Sequence, residues 1–390
     1  MHQRNKYYQN APDFLKLANT YPSLKKYIKF NRHSKQGTIN FKDPRACREL
    51  TYALLWCDFQ IRLEIPLDTL CPVIPGRLDY LHWIEDLIFN NNNLTNLNSI
   101  DNHTISINNN STENDKINLK KINNNDNRQI TGVDIGTGAS CIYPLLACKL
   151  HPEWKFEALE LNERSYEYAK DNVNRNNMMN QIKVRRVKNE QDNVFAILLK
   201  KNKKENSEKI ESFILAMGDL SVQASNTIIS NLMLPDYSFC MCNPPFYSSE
   251  EEMEQSKELK VEAPHSICTG SKNEMLTEGG EVQFVTKIID DSVELYKQRR
   301  KVIKKLSKLM KNIEESNHLR RKEILIKKMK KKGLVFQWYT SLLGKKSSVE
   351  PLVTYLKGIK YVKDIKTTNF KQGKTVRWGI AWSFKVLKPL

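Results

Sequence analysis

The chain has 390 residues, of which 40% are hydrophobic, and a formal net charge of +18 at pH 7. That is long and apolar enough for a real core, as one large domain with insertions or as two modest domains. So strong a basic balance points to a polyanionic partner, nucleic acid or an anionic membrane surface, but no apolar run approaches the roughly 20 residues of a spanning helix.

The first ten residues, "MHQRNKYYQN", contain no apolar stretch of signal-peptide type, so secretion is not expected and a reducing compartment is the default. The eight cysteines (47, 57, 71, 141, 148, 240, 242 and 268) form no CxxC pair. With no Cys or His cluster at ligand spacing, no metal is expected.

Residues 12 to 88 alternate helical signals ("PDFLKLANTYPSLKKYI", "DPRACRELTYALLWCDF") with an extended piece ("GTINF") and carry a run of bases that includes Lys25, Lys26 and Lys29. They read as a small, basic, mostly helical N-terminal module, assigned to residues 1–88, with these lysines facing RNA. From Asn90 to Arg128, sixteen of thirty-nine residues are Asn, without periodicity. Such a segment cannot bury enough surface to offset its chain entropy, so residues 89–129 are expected to be a disordered insertion.

A regular pattern resumes at residue 130. "ITGVDIGTG" reads as strand and loop, "CIYPLLACKL" as helix, "KFEALEL" as strand, "ERSYEYAKDNVNRNN" as helix and "IKVRRV" as strand. This rhythm predicts right-handed βαβ units and a parallel sheet over residues 130–390. Lys-rich insertions interrupt it at about 200–210 and 297–332. The second holds sixteen Lys or Arg against three Glu, and Val302, Leu306, Leu309 and Ile313 recur at helical spacing, so its first half reads as a basic amphipathic helix. It is either an extra RNA clamp or a solvated insertion. "VFQWYTSLLG" and "TVRWGIAWSF" complete the domain as strand or helix.

Two motifs carry chemistry. In "VDIGTG", Asp134, Gly136 and Gly138 end a strand and open a helix, but Cys141 stands where a dinucleotide fingerprint has its third glycine. The pattern suits S-adenosylmethionine, with Glu160 at the end of the next strand placed to accept from both ribose hydroxyls. A bare strand-to-helix turn is the plainer alternative. In "FCMCNPPF", two prolines must end a strand, because proline has no N–H for the ladder. Asn243 and the Pro244 carbonyl can accept from one exocyclic NH2 group, Pro245 stiffens the loop, and Phe246 can stack on an extruded base. The alternative is a structural turn with a core phenylalanine.

"FKDPRACRELTYALL", "IPGRLDYLHWIEDLI", "DIGTGASCIYPLL", "FCMCNPPF", "EMLTEGGEVQFV", "WYTSLLGKKSSVEPL" and "TVRWGIAWSF" resemble the methyltransferase-like 16 family of RNA adenine N6-methyltransferases, over about residues 11 to 384. The resemblance implies a Rossmann-like class I methyltransferase domain behind a basic RNA-binding module. It also implies S-adenosylmethionine as cofactor, a structured RNA partner such as U6 small nuclear RNA, and a nuclear location with a cytoplasmic pool allowed. Residue by residue it implies Gly136 in the donor loop, Glu160 on the ribose, Asn243 to Phe246 as the catalytic tetrapeptide with Asn243 also against the donor, and Arg77 on the donor's carboxylate. Gln191 stands for the threonine near the donor's adenine, and Lys374 and Arg377 for phosphate-facing bases. An ordinary surface ion pair is the alternative for Arg77. The chain stops short of the further C-terminal RNA-binding region of vertebrate members, so functions tied to that region are not expected. At this level three functions compete: N6-adenosine methylation of RNA; methylation of another amine such as guanine N2, DNA adenine or a glutamine amide; and a non-catalytic RNA-binding protein on a methyltransferase fold.

Overall fold

The computed structural model describes residues 1–31, 36–97, 129–188, 193–195, 198, 237–258, 270–311, 336–373 and 375–386. The Lys-rich stretch at 200–210, Gln191, Lys374 and most of the Asn-rich segment lie outside them.

Among the described residues, seven strands form the central sheet: β3 (Thr131–Ile135), β4 (Lys155–Glu160), β5 (Ile182–Arg186), β6 (Tyr237–Cys242), β7 (Phe336–Leu343), β8 (Val362–Gln372) and β9 (Thr375–Phe384). Their spatial order is β5-β4-β3-β6-β7-β9-β8. Pairing is parallel from β5 to β7, while β9 runs antiparallel to both β7 and β8. This is a Rossmann-like sheet of the kind the βαβ rhythm predicts and the resemblance implies. The chain leaves β3 toward β4 and β5 on one side and resumes at β6 on the other, so the β3/β6 crevice is the topological switch point where open α/β sheets bind ligands.

The strand side chains alternate between two cores, as a period of two requires. Phe239 and Met241 of β6 face a core shared with Phe156 and Trp338, whereas Cys240 and Cys242 face the opposite core with Val133, Ile135 and Tyr339. All six residues of β6 are buried, which fits a strand covered on both faces.

The first core is covered by helices α2 (Pro44–Phe59), α3 (Ile74–Leu97), α4 (Ile142–Leu150) and α5 (Glu163–Arg175), preceded by the short α1 (Phe14–Thr20) and the β1/β2 hairpin (Ile28–Asn31, Gln36–Ile39). Asp13 and Asp43 cap α1 and α2, and Asn162 caps α5 by accepting from the Ser165 N–H. The opposite core is covered by α7 (Gly280–Lys311) and α8 (Val349–Lys357); α6 (Glu250–Glu258) follows the loop that holds the two prolines.

Two sequence boundaries move. The division at residue 88 cuts through α3, which runs to Leu97; once a helix is packed, each added residue costs little, even in an Asn-rich run. The N-terminal segment also shares its core with the sheet, since Leu24, Leu50 and Leu54 cluster with Leu145, Phe156 and Trp338. The basic stretch does not begin at Lys297 as an insertion. Lys297 to Lys311 continue α7, and Arg299 is buried while Tyr296 packs on Tyr361 and Phe384.

Between α2 and α3 the extended segment Ile61–Ile65 is docked on α5 by two asparagines one turn apart. Asn172 accepts from the Glu64 N–H (2.9 Å) and donates to the Glu64 carbonyl (2.8 Å) and to Ala139 O in the loop after β3 (3.0 Å). Asn176 pairs with Arg62 in the same way. Each amide copies a strand partner, so the segment is held without a strand beside it.

Candidate active site

The register places three loops side by side. Ile135 pairs with Leu159 on one side and Cys242 on the other, so Gly136, Glu160 and Asn243 each follow paired positions at the C-terminal edges of β3, β4 and β6. Adjacent strands lie about 4.8 Å apart, which brings the two sequence motifs into one crevice.

The donor loop is shaped by backbone conformation. Gly136 and Gly138 have φ of +71° and +64°, the left-handed region that favours glycine. A Cβ on Gly136 would meet no atom within 4 Å, so the loop's backbone faces open space. The Gly136 and Thr137 N–H groups both donate to Leu159 O at 2.9 Å, fixing the turn against β4. The Glu160 carboxylate accepts from Gly138 N–H (2.8 Å), Leu161 N–H (3.0 Å) and Asn162 N–H (2.9 Å). Burial raises its pKa, against those three hydrogen bonds.

Asp134 lies beneath, fully buried, accepting from the Thr137 hydroxyl at 2.7 Å. Burial pushes its carboxyl up to about 7; the Thr137 hydrogen bond opposes this, the Glu160 charge adds to it and the Arg77 charge opposes it. Arg77, from the first turn of α3, lies over the Tyr143 ring at 5.2 Å and donates to the Tyr143 hydroxyl at 2.7 Å. Its Nε is buried without a hydrogen-bond partner, so the plainer reading of Arg77 as a surface ion pair does not hold.

In the tetrapeptide, Pro244 is buried, and Asn243 Oδ1 is a buried acceptor with no partner among the described residues. A buried oxygen left unpaired costs about 1–3 kcal/mol, so its retention points to a donor supplied from outside the chain. Phe246 has Arg377 of β9 over its ring at 5.0 Å. Gly344, after β7, lies so close to the ring that a Cβ there would stand 2.8 Å from Phe246 Cδ1.

Several supporting residues carried no sequence signal. Glu281, at the start of α7 and almost fully buried, accepts from Gly344 N–H (2.5 Å), Lys345 N–H (3.0 Å) and Ser348 Oγ (2.6 Å), and so fixes the loop beneath Phe246. Lys345 pairs with Glu252, whose carboxyl that ion pair holds down at about 2. Tyr80 and Thr340 meet under the strand that carries Asn243. These partners are distant in sequence, and only the fold brings them together.

Gly136, Glu160 and Asn243 therefore lie side by side at neighbouring strand ends, the Arg77 charge reaches Asp134 beneath them, and Phe246, three residues past Asn243, packs against Gly344 and Arg377. Lys25, Lys26 and Lys29 sit exposed on the short 3-10 helix Pro22–Tyr27 and on β1, without a contact to this crevice. Among the described residues no group of His, Cys, Asp or Glu could hold a metal, and no helix is long and apolar enough to cross a membrane.

Fold and crevice together define a class I methyltransferase. A family model described as RNA methyltransferase matches residues 1–109, 114–210, 219–331 and 322–386, and the chain belongs to that family. Mouse RNA N(6)-adenosine-methyltransferase METTL16 is 35% identical over 386 residues, 98% of this chain and 51% of the mouse protein. The U6 small nuclear RNA (adenine-(43)-N(6))-methyltransferase of Dictyostelium discoideum is 34% identical over 387 residues, 98% of this chain and 55% of its own. The chain thus spans about half the length of the curated relatives it matches. The hMettl16 catalytic domain in complex with MAT2A 3'UTR hairpin 1 aligns with a TM-score of 0.64 at 31% identity, covering 100% of this chain and 99% of the other. The N-terminal domain of human METTL16 in complex with SAH aligns at 0.58 and 31% identity, covering 99% of both chains.

Proposed function

We propose that the protein is an S-adenosylmethionine-dependent enzyme that methylates N6 of an adenosine in structured RNA, with U6 small nuclear RNA as the substrate and the nucleus as its location. The unpartnered, buried Asn243 Oδ1 beside the Gly136 loop carries this reading. The names of the relatives support the reaction and the RNA, and the SAH and hairpin complexes support cofactor and partner.

The residues fit the donor on the chain's own evidence: open space before Gly136, an inward carboxylate at Glu160 and an unpaired Arg77 Nε. Arg77 would hold the donor's carboxylate and Glu160 its ribose. Bound there, the donor supplies a methyl group on a sulfonium, already electrophilic. The chain's task is then to position a weak nucleophile. The amine's lone pair is delocalised into the purine, and two acceptors, Asn243 Oδ1 and Pro244 O, would hold both of its protons and turn that lone pair toward the methyl group. Transfer would form the N6–CH3 bond as the S–CH3 bond breaks, leave the donor as a neutral thioether, and release one amine proton to water. Phe246 offers a stacking face worth roughly 1–3 kcal/mol, and orientation supplies the rest without a strong base. Lys25, Lys26, Lys29, Lys374 and Arg377 would hold phosphates, a role that positions RNA without reading its sequence.

The test incubates the protein with total RNA and methyl-labelled donor, then identifies the labelled nucleoside and its RNA. N6-methyladenosine in U6 is expected. Label on guanine N2 would move the acceptor, and binding without label would leave an RNA-binding protein.

A further inference from the structure

Glu274 lies in the four-residue helical turn Lys272–Met275, just before α7, and its two carboxylate oxygens have different surroundings. Oε2 accepts from Leu70 N–H (2.9 Å), Ser271 N–H (2.9 Å) and Ser271 Oγ (3.0 Å). Oε1 faces the donor loop: it lies 3.8 Å from the place a Cβ on Gly138 would take. Gly138 is also the glycine whose N–H donates to Glu160, so two carboxylates flank one stretch of backbone. They repel, and the Glu274 charge adds to the upward shift at Glu160. A cation placed between such groups relieves the repulsion and gains a charge-assisted hydrogen bond.

S-adenosylmethionine carries one carboxylate and two positive centres, its sulfonium and its α-ammonium. Arg77 answers the carboxylate, and Glu160 serves the ribose in the reading above, on which this step rests. We propose that Glu274 is a donor-binding residue whose Oε1 accepts the α-ammonium. Oε2 meanwhile ties the turn before α7 to the segment at Leu70. Glu274 would thereby link the amino-acid end of the donor to Leu70 and Ser271.

The test is calorimetry with two ligands on Glu274→Gln, which keeps an oxygen for Leu70 and Ser271 while removing the charge. S-adenosylhomocysteine has the ammonium; 5'-methylthioadenosine lacks the whole amino-acid end. The variant should lose about ten-fold or more in affinity for the first and stay within about two-fold for the second. The deaminated analogue of S-adenosylhomocysteine should bind both proteins alike. A parallel loss for both ligands would make Glu274 a structural anchor only, unchanged affinity would remove it from the site, and a gain would make it a plug; each overturns the proposal. Glu160→Gln, by contrast, should weaken both ligands. If the wild-type protein bound neither, the donor-site reading itself would fail, an outcome distinct from the others.

Discussion

The Tyr80 hydroxyl lies 2.7 Å from Thr340 Oγ1, joining α3 to β7 across 260 residues of sequence, and Thr340 in turn donates to the Cys240 carbonyl at 2.9 Å. The same hydroxyl sits 3.4 Å from both the N–H and the carbonyl of Cys242, the residue before Asn243. Asn243, the proposed catalytic asparagine, therefore leaves a strand end that is pinned from below.

Tyr80→Phe removes the pin but keeps the ring against Trp83 and Tyr143. The expected loss is about 1 kcal/mol of stability, together with roughly a 3- to 30-fold fall in kcat at unchanged donor affinity, because the loop's aim is loosened rather than its chemistry removed. Chemical denaturation and single-turnover kinetics measure the two. A stability loss with kcat unchanged would make the Tyr80–Thr340 bond purely structural.

Asp134 gives a pH signature. Its folded-state value of about 7 lies above the ordinary 3.8, so between those values the folded protein binds more protons at this site than the unfolded chain. This group's contribution therefore costs stability as pH rises from about 4 to about 7, at up to ~1.4 kcal/mol per pH unit, and then levels off. Asp134→Asn can still accept from Thr137 and lacks the cost. The unfolding free energy of the variant minus that of the wild type should grow across that range; a constant difference would contradict the assignment.

Replacing Lys301 to Lys331 with a short Gly/Ser linker tests the basic stretch. Among the described side chains of α7, Arg299 is the last buried one, and Arg300, Lys301 and Lys304 are exposed, so melting temperature and donor affinity should hold. RNA affinity should fall similarly for target and non-target RNAs, and the plot of log K against log salt should flatten by roughly 0.7 to 0.9 for each phosphate that is no longer neutralised. Unchanged affinity and slope would leave phosphate binding to the N-terminal bases.

Strands β3, β4, β5 and β6 are legible in the sequence from the rhythm of strand and helix and, for β3 and β6, from the glycines and the proline pair that close them, whereas β7 and β9 stand out as aromatic, apolar runs that the sequence leaves as strand or helix. β8 is not legible. It is the sheet's edge, its residues alternate between half-exposed and exposed, and Lys363, Lys366 and Lys371 point outward, so hydrophobicity carries little signal. The site divides similarly. Gly136, Glu160 and Asn243 announce themselves by local chemistry at strand ends, while Tyr80, Thr340, Glu274 and Glu281 act through partners dozens to hundreds of residues away. Arg299 is hidden for a related reason: in a run of sixteen bases nothing in the sequence marks Arg299 as one that turns inward.

In the proposed mechanism methyl transfer depends above all on Asn243, and the most direct test is single-turnover methylation of a structured U6-type RNA by wild type and Asn243→Ala, with N6-methyladenosine measured by mass spectrometry. The variant should bind donor and RNA within a few-fold of wild type while its methyl-transfer rate falls by about a hundred-fold or more, since the hydrogen bond it removes acts mainly in the transition state. A variant that retains more than about a tenth of the wild-type rate, a barrier change of only ~1.4 kcal/mol, would contradict the mechanism.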